Sequence, residues 1–178
     1  MKQFTSAGKA LPIIFAILFM AGCASTDTTS EADSAAQDEA QAAEEARRAA
    51  QMQAEKDREM ARMKALEDAV AAAGNVVYFD FDKSTLTPAT RRVLDAHIAL
   101  AKAKGSGNIR LEGHADERGT REYNMALGER RAKAARDYMS VNGIPNYRME
   151  TVSYGEERPA VSGTGEAAWS RNRRVEIK

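Results

Sequence analysis

Four carboxylates, four guanidinium groups and one histidine fall within the twenty residues from Gly113 to Ala132, "GHADERGTREYNMALGERRA". Such a run suits a metal site, a catalytic site, a solvated charge run, or a pocket for a ligand carrying both charges. A zinc-type site wants three or four convergent ligands. His114, Asp116 and Glu117 are on offer, but adjacent Asp and Glu side chains diverge. The only other histidine, His97, sits mid-helix beside an apolar stripe, where packing is the plain reading. Catalysis needs an activated nucleophile with a base in reach. The single cysteine, Cys23, lies near the N-terminus, and no Ser-His-Asp order suggests itself. Asp82 with Asp116 has the composition of a glycosidase carboxylate pair, but nothing else in the chain supports that chemistry. No metal, no cofactor and no enzymatic activity are therefore expected.

One arginine in the run differs from the others. Arg131 lies four residues after Leu127 and four before Ala135, so it shares a helix face with Leu127, Ala134, Ala135 and Tyr138. A guanidinium on an apolar stripe needs a partner or a ligand. Asp116 and Asp82 are the candidate partners. A structural ion pair with Asp116 and a ligand-reading role both fit the spacing. Arg130, Lys133 and Arg136 fall off the stripe and are assigned to solvent.

The elements that must position these groups are legible from periodicity and punctuation. "NVVYFDFD", Asn75 to Asp82, is β-branched and aromatic, as a buried strand is. A helix follows, capped by Thr87, opened by Pro88 and closed by Gly105 after Lys102 and Lys104, with Leu94, Ile98 and Ala101 inward. Asn108 to His114 reads as a second strand with Ile109 and Leu111 on one face. Tyr123 to Asn142 reads as a second long helix, stopped by "NGIP". Met149 to Gly155 is a third strand, and a short helix at Glu166 to Asn172 leads to a last strand, "RRVEIK". The order β-α-β-α-β-(short α)-β implies one two-layer α/β domain over 74–178. The first βαβ unit should be parallel. Ligands of open α/β sheets sit at the carboxyl ends of parallel strands, where Asp80 to Asp82 and His114 to Asp116 fall.

Charge balances at 26 basic and 26 acidic residues, but unevenly along the chain. Glu31 to Ala73 carries 11 acids and 6 bases; Gly74 to Lys178 carries 14 acids and 18 bases. So mild and interleaved an excess is not a nucleic-acid footprint. Residues 1–22 have a positive start, an apolar run from Leu11 to Met20 and small residues after it, the layout of a secretory signal. The run is shorter than the ~20 apolar residues that span a bilayer. "FMAGC" resembles a bacterial lipobox, with Met20 where an aliphatic residue is usual, so Cys23 is the expected lipid-modified first residue of the mature chain. Ala24 after it, rather than Asp, resembles an outer-membrane address. Residues 23–73 then form a lipidated tether: Ala24 to Ser34 is expected to be disordered, and Ala35 to Ala73 partly helical and solvated. Met63, Leu66 and Val70 make a short helical stripe near its end.

"VYFDFDKSTL", "LEGHADERGTREYNMALGERRA", "VSYGEERPA" and "AWSRNRRVEI" together resemble the C-terminal domain of the outer-membrane protein A family, from about Val76 to Lys178. The family's helix motif appears as Asn124, Leu127, Arg131 and Ala132, and Gly128 stands where Ser is commoner. The resemblance implies noncovalent binding to peptidoglycan stem peptides through meso-diaminopimelate, whose free end bears an ammonium and a carboxylate on one carbon. It implies Asp116 for the ammonium and Arg131 for the carboxylate, whose fork suits a bidentate grip. Phe81, Asp82, Arg118, Thr120 and Leu127 match further lining positions. It also implies a lipid-anchored place on the periplasmic face of the outer membrane. The implied protein partner is the periplasmic β-propeller protein of the Tol system, and the implied setting is the Tol-Pal envelope and cell-division system.

Overall fold

The computed structural model describes residues 28–178, with side chains from residue 36 onward. The expected signal segment, Cys23 and the beginning of the tether lie outside the described residues. The chain divides into two units, Met1–Ala50 and Gln51–Lys178. Among the described residues, no helix is long and apolar enough to cross a membrane.

The first helix, α1 (Thr28–Ala73), is continuous, where a partly helical segment was expected. Its composition explains the difference: Ala, Glu, Gln, Arg and Lys favour helix at nearly every position, and pairs such as Arg48–Glu44 and Lys64–Asp68 link successive turns. Within Gln51–Lys178 its last turns are not fully solvated. Met63, Leu66, Val70 and Ala73 are half-buried, and Lys104 pairs with Glu67 at 3.0 Å. The stripe of three large apolar residues at helical spacing is what turns inward.

After Gly74 come β1 (Val76–Tyr78), α2 (Pro88–Lys104), β2 (Ile109–His114), α3 (Arg121–Val141), a single 3₁₀ turn, β3 (Met149–Gly155), α4 (Glu166–Asn172) and β4 (Arg174–Ile177). The ends of α2 follow the punctuation. Thr87 accepts a hydrogen bond from the Thr90 N–H, Pro88 occupies the first turn, and Gly105 takes the left-handed conformation at φ 65°. His97 Nε2 donates to the Gly74 carbonyl, 3.0 Å away, a structural tie at the α1 terminus. α3 begins two residues earlier than expected because Thr120 caps it, accepting from the Tyr123 N–H at 3.2 Å.

The four strands run in the order β1-β4-β2-β3. β1 and β2 each pair antiparallel with β4, so they run parallel to each other with β4 inserted between them; β2 and β3 pair directly in parallel. The first βαβ unit is thus parallel but split. Leu94 and Ile98 from α2, Ala132, Ala135 and Met139 from α3, and Val77, Leu111, Val175 and Ile177 from the strands form the core. α3 comes very close to the sheet. A Cβ on Gly113 would overlap the Gly128 carbonyl oxygen, and one on Gly128 would overlap Ser153 Oγ and lie 2.9 Å from the Gly113 oxygen. Gly128 is therefore a contact point, and a serine there would not leave its surroundings intact.

β1 is shorter than expected, ending at Tyr78 rather than Asp82. The Phe79 N–H still bonds to the Arg173 carbonyl. The outward carbonyls beyond it are taken by side chains: Arg173 Nε donates to Phe79 O and Arg131 Nη2 to Asp80 O. Asp82 then adopts φ 55°, in the left-handed region that Asp tolerates better than most residues. The chain leaves the sheet as a loop held by guanidinium groups.

Candidate functional site

The end of β1, the end of β2, the first turns of α3, and α4 with the start of β4 converge on a few arginines. Arg131 is completely buried, as its helix-face position predicts. Its Nε donates to Lys83 O at 2.9 Å, Nη1 to His114 O at 2.8 Å and Nη2 to Asp80 O at 3.1 Å. It therefore fastens the β1–α2 loop to the end of β2. Among the described residues, no carboxylate lies within ion-pair distance of it, so the structural pair with Asp116 is not formed. Burial pulls its pKa down to about 10, against the opposing attraction of Asp116.

Asp116 is itself buried, and its carboxylate is the best-satisfied group in the region. Oδ1 accepts from the Arg118 backbone N–H at 3.2 Å and from Arg118 Nε at 3.1 Å; Oδ2 accepts from Arg118 Nη2 at 2.7 Å and from Arg173 Nη1 at 3.3 Å. Burial alone would raise its pKa, but the hydrogen bonds from Arg118 and Arg173 win and hold it below the usual carboxylate range. Arg118 is clamped in turn. Its guanidinium carbon lies 3.9 Å from the Phe81 ring centre and 4.1 Å from that of Trp169, a cation between two aromatic faces. Trp169 Nε1 donates to Glu117 at 3.0 Å. Arg173 spans Phe79 O, Asp116 and Glu166.

Around these groups lies a cavity of about 210 Å³ lined by Phe81, Asp82, Asp116, Arg118, Gly119, Tyr123, Asn124 and Leu127. Tyr123 donates its hydroxyl to the Asp82 carboxylate, and Asn124 donates its amide to Glu156. Larger hollows lie between α1 and α2, about 590 Å³, and beside Tyr78, about 540 Å³. The smaller one is where buried, oppositely charged groups converge.

Of the residues singled out in the sequence, Asp116, Asp82, Phe81, Arg118 and Leu127 meet around one cavity. Thr120 does not line it; its hydroxyl serves as the α3 cap. Arg131 lies behind it, one helical turn beyond Leu127. Arg136, expected in solvent, is half-buried beside Asp137. His114 is apart: its ring packs against Tyr154, 5.5 Å between centres, with Glu176 3.9 Å away. Sequence reasoning missed Arg173, Trp169, Tyr123, Asn124 and Gly119 as neighbours of the site. The signal for Arg173 was present in "SRNRRV": a cation heading an apolar strand has the same need for partners as Arg131.

A family model described as the OmpA family matches residues 78–173. The chain belongs to the OmpA family. It is 51% identical over 112 residues to the peptidoglycan-associated lipoprotein of Pseudomonas putida, covering 63% of this chain and 67% of that protein. It is equally similar to the protein of the same name from Pseudomonas aeruginosa, covering 63% and 66%. The chain thus matches about two thirds of the length of these curated relatives. Among solved structures, the peptidoglycan-associated lipoprotein from Burkholderia pseudomallei superposes with a TM-score of 0.57 at 41% identity, over 59% of this chain and 89% of that one. In this OmpA-family chain, the buried Asp116 and Arg131 and the aromatic clamp on Arg118 all fall inside the family-matched span.

Proposed function

We propose that this protein is an outer-membrane lipoprotein that binds peptidoglycan noncovalently through the diaminopimelate of its stem peptides. It would be anchored at the periplasmic face through Cys23 and link membrane to wall within the Tol-Pal system, as a binding protein rather than an enzyme. The observation that carries the reading is the charge pattern at the cavity. Arg131 is a buried cation held by three carbonyls and the Phe79 ring, 5.4 Å away, with no anion in contact, and a buried charge without a counter-charge is costly. A ligand carboxylate reaching behind the cavity wall, where Arg131 lies fully buried, would supply that anion. Three of its five N–H groups are spent on carbonyls, which leaves two for a carboxylate. Asp116 supplies the anion for the ligand ammonium. Both its oxygens already hold arginine donors, so the ammonium takes the place of the exchangeable one, Arg118, whose side chain is 30% exposed. The names of the relatives support the same reading.

The test is retention on isolated sacculi. Sacculi containing diaminopimelate should retain the protein, and lysine-type sacculi, which lack the second carboxylate, should not. Asp116→Asn keeps the shape and loses the charge, and should weaken retention by about 10- to 150-fold, the worth of one charge-assisted hydrogen bond. Equal retention on both kinds of sacculi would remove the diaminopimelate reading. The exposed aromatics at the cavity mouth, Phe81 and Tyr123, favour a second use of this surface by a protein partner. The Tol β-propeller protein is the partner proposed, in competition with the wall.

A further inference from the structure

Asp116 already holds a cation of the chain's own. Arg118 grips it with both arms of its fork, Nε to Oδ1 at 3.1 Å and Nη2 to Oδ2 at 2.7 Å. Both residues line the smaller cavity, so this guanidinium stands where an incoming ammonium must bind. It is also held from outside the pair. Phe81, in the loop after β1, and Trp169, on α4, stack on it at 3.9 and 4.1 Å. Trp169 is oriented in turn by Glu117, which accepts from its Nε1 at 3.0 Å.

The Arg118 side chain is the displaceable one of the three arginines. It is 30% exposed, against 7% for Arg173, and Arg131 is completely buried. Asp116 does not depend on it alone: the Arg118 backbone N–H and Arg173 Nη1 stay as donors when the fork leaves. Release therefore needs only rotation of one side chain. A carboxylate to receive it is at hand. Glu166 Oε2 lies 3.9 Å from Arg118 Nη2 and is well exposed. Glu166 and Trp169 sit three residues apart on α4, on one face, and both turn toward Arg118.

We infer that Arg118 is an internal competitor for the ligand's ammonium group, and that Trp169 and Glu117 are positioning residues that set how firmly it competes. This competition rests on the proposed function: the diaminopimelate cavity is closed by the chain's own cation until a ligand displaces it. On binding, the ammonium takes the two acceptor positions that Nε and Nη2 leave, and the guanidinium moves to Glu166. One charge-assisted grip on Asp116 replaces another, so the affinity depends on what holds Arg118 down. Removing Arg118 therefore tightens binding, whereas removing an ordinary lining residue weakens it.

The experiment is calorimetric titration of the full chain with two ligands: the free tripeptide ending in meso-diaminopimelate, and 1,5-diaminopentane, a cation with no carboxylate. Arg118→Met should bind the tripeptide roughly 10-fold or more tightly than wild type, the worth of one charge-assisted hydrogen bond. Trp169→Leu should bind it about 2- to 5-fold more tightly, the worth of an exposed cation–π contact. Trp169 is the chain's only tryptophan, so its fluorescence reports the stack. Ligand should shift the wild-type emission toward the value that Arg118→Met shows without ligand. If wild type binds the tripeptide and Arg118→Met binds it equally or more weakly, the competitor is overturned and the diaminopimelate reading stands. Should Arg118→Met fail to fold, a Trp169→Leu protein with unchanged or weakened affinity overturns the competitor in the same way. If no chain binds the tripeptide while Arg118→Met takes diaminopentane more tightly than wild type, the competitor stands and the diaminopimelate reading falls. Binding of neither ligand by any chain overturns both.

Discussion

Replacing Arg131 with methionine keeps an unbranched apolar stem and removes the guanidinium, so it isolates the bracing role. Three hydrogen bonds to carbonyls are lost, at 2.9, 2.8 and 3.1 Å. At about 1.5–3 kcal/mol for each bond from a charged donor, they contribute on the order of 5–9 kcal/mol. Against them stands the cost of burying the charge. Burial that pulls its pKa down to about 10 from the usual guanidinium range corresponds to roughly 3 kcal/mol. The balance favours arginine by about 2–6 kcal/mol, its lower end applying because Asp80 O keeps a second donor in the Lys83 N–H at 3.2 Å. At about 4–8 °C per kcal/mol for a domain of this size, Arg131→Met should unfold at least ~8 °C below wild type in a thermal melt followed by circular dichroism. Arg131→Lys keeps the charge but loses the planar fork, and should fall between the two. An Arg131→Met protein that melts at or above the wild-type temperature would refute the reasoning, since the desolvation cost would then outweigh the three bonds.

Gly113→Ala should be the most damaging small substitution in the sheet, because the new Cβ overlaps the Gly128 carbonyl of α3, a backbone atom that cannot rotate away. We expect a loss of about 1–3 kcal/mol or more in urea unfolding, against less for Gly128→Ala, which regains about 1 kcal/mol of helix propensity; a neutral Gly113→Ala would show that the layers are not in contact. His114 gives a pH signature: burial and the neighbouring Arg174 pull its imidazole to about 4, so the native state stays neutral while the unfolded chain takes up a proton below pH 6.5. That contribution is fully present above pH 6.5 and is lost as pH falls toward 4, by on the order of 3 kcal/mol. His114→Gln should flatten stability across this window, and an unchanged slope would place the proton elsewhere. Cys23→Ser should abolish incorporation of labelled palmitate, and label in the variant, or none in wild type, would count against the anchor.

Local pattern carried much of this protein into view. Thr87, Pro88 and Gly105 bounded α2, and the placement of Arg131 four residues from both Leu127 and Ala135 foretold its burial, because helix caps and faces depend only on neighbours within a few residues. The carboxylate just after β2 was legible as a strand-end group for the same reason, since a strand end can be read from where a period-2 pattern stops, but the end of β1 was not: it stops at Tyr78 because side chains take the backbone carbonyls beyond it. What the tertiary structure alone decided is which distant groups meet. β4 comes from the last residues of the chain yet pairs between β1 and β2, and in doing so it delivers Arg173 to Asp116, 57 positions away in sequence. Arg131 found three carbonyls rather than the carboxylate its spacing made available, because β1 ends early and turns its backbone oxygens toward α3. Such partners depend on strand order and layer packing, and no spacing along the sequence encodes a contact between groups that only the assembled sheet brings together.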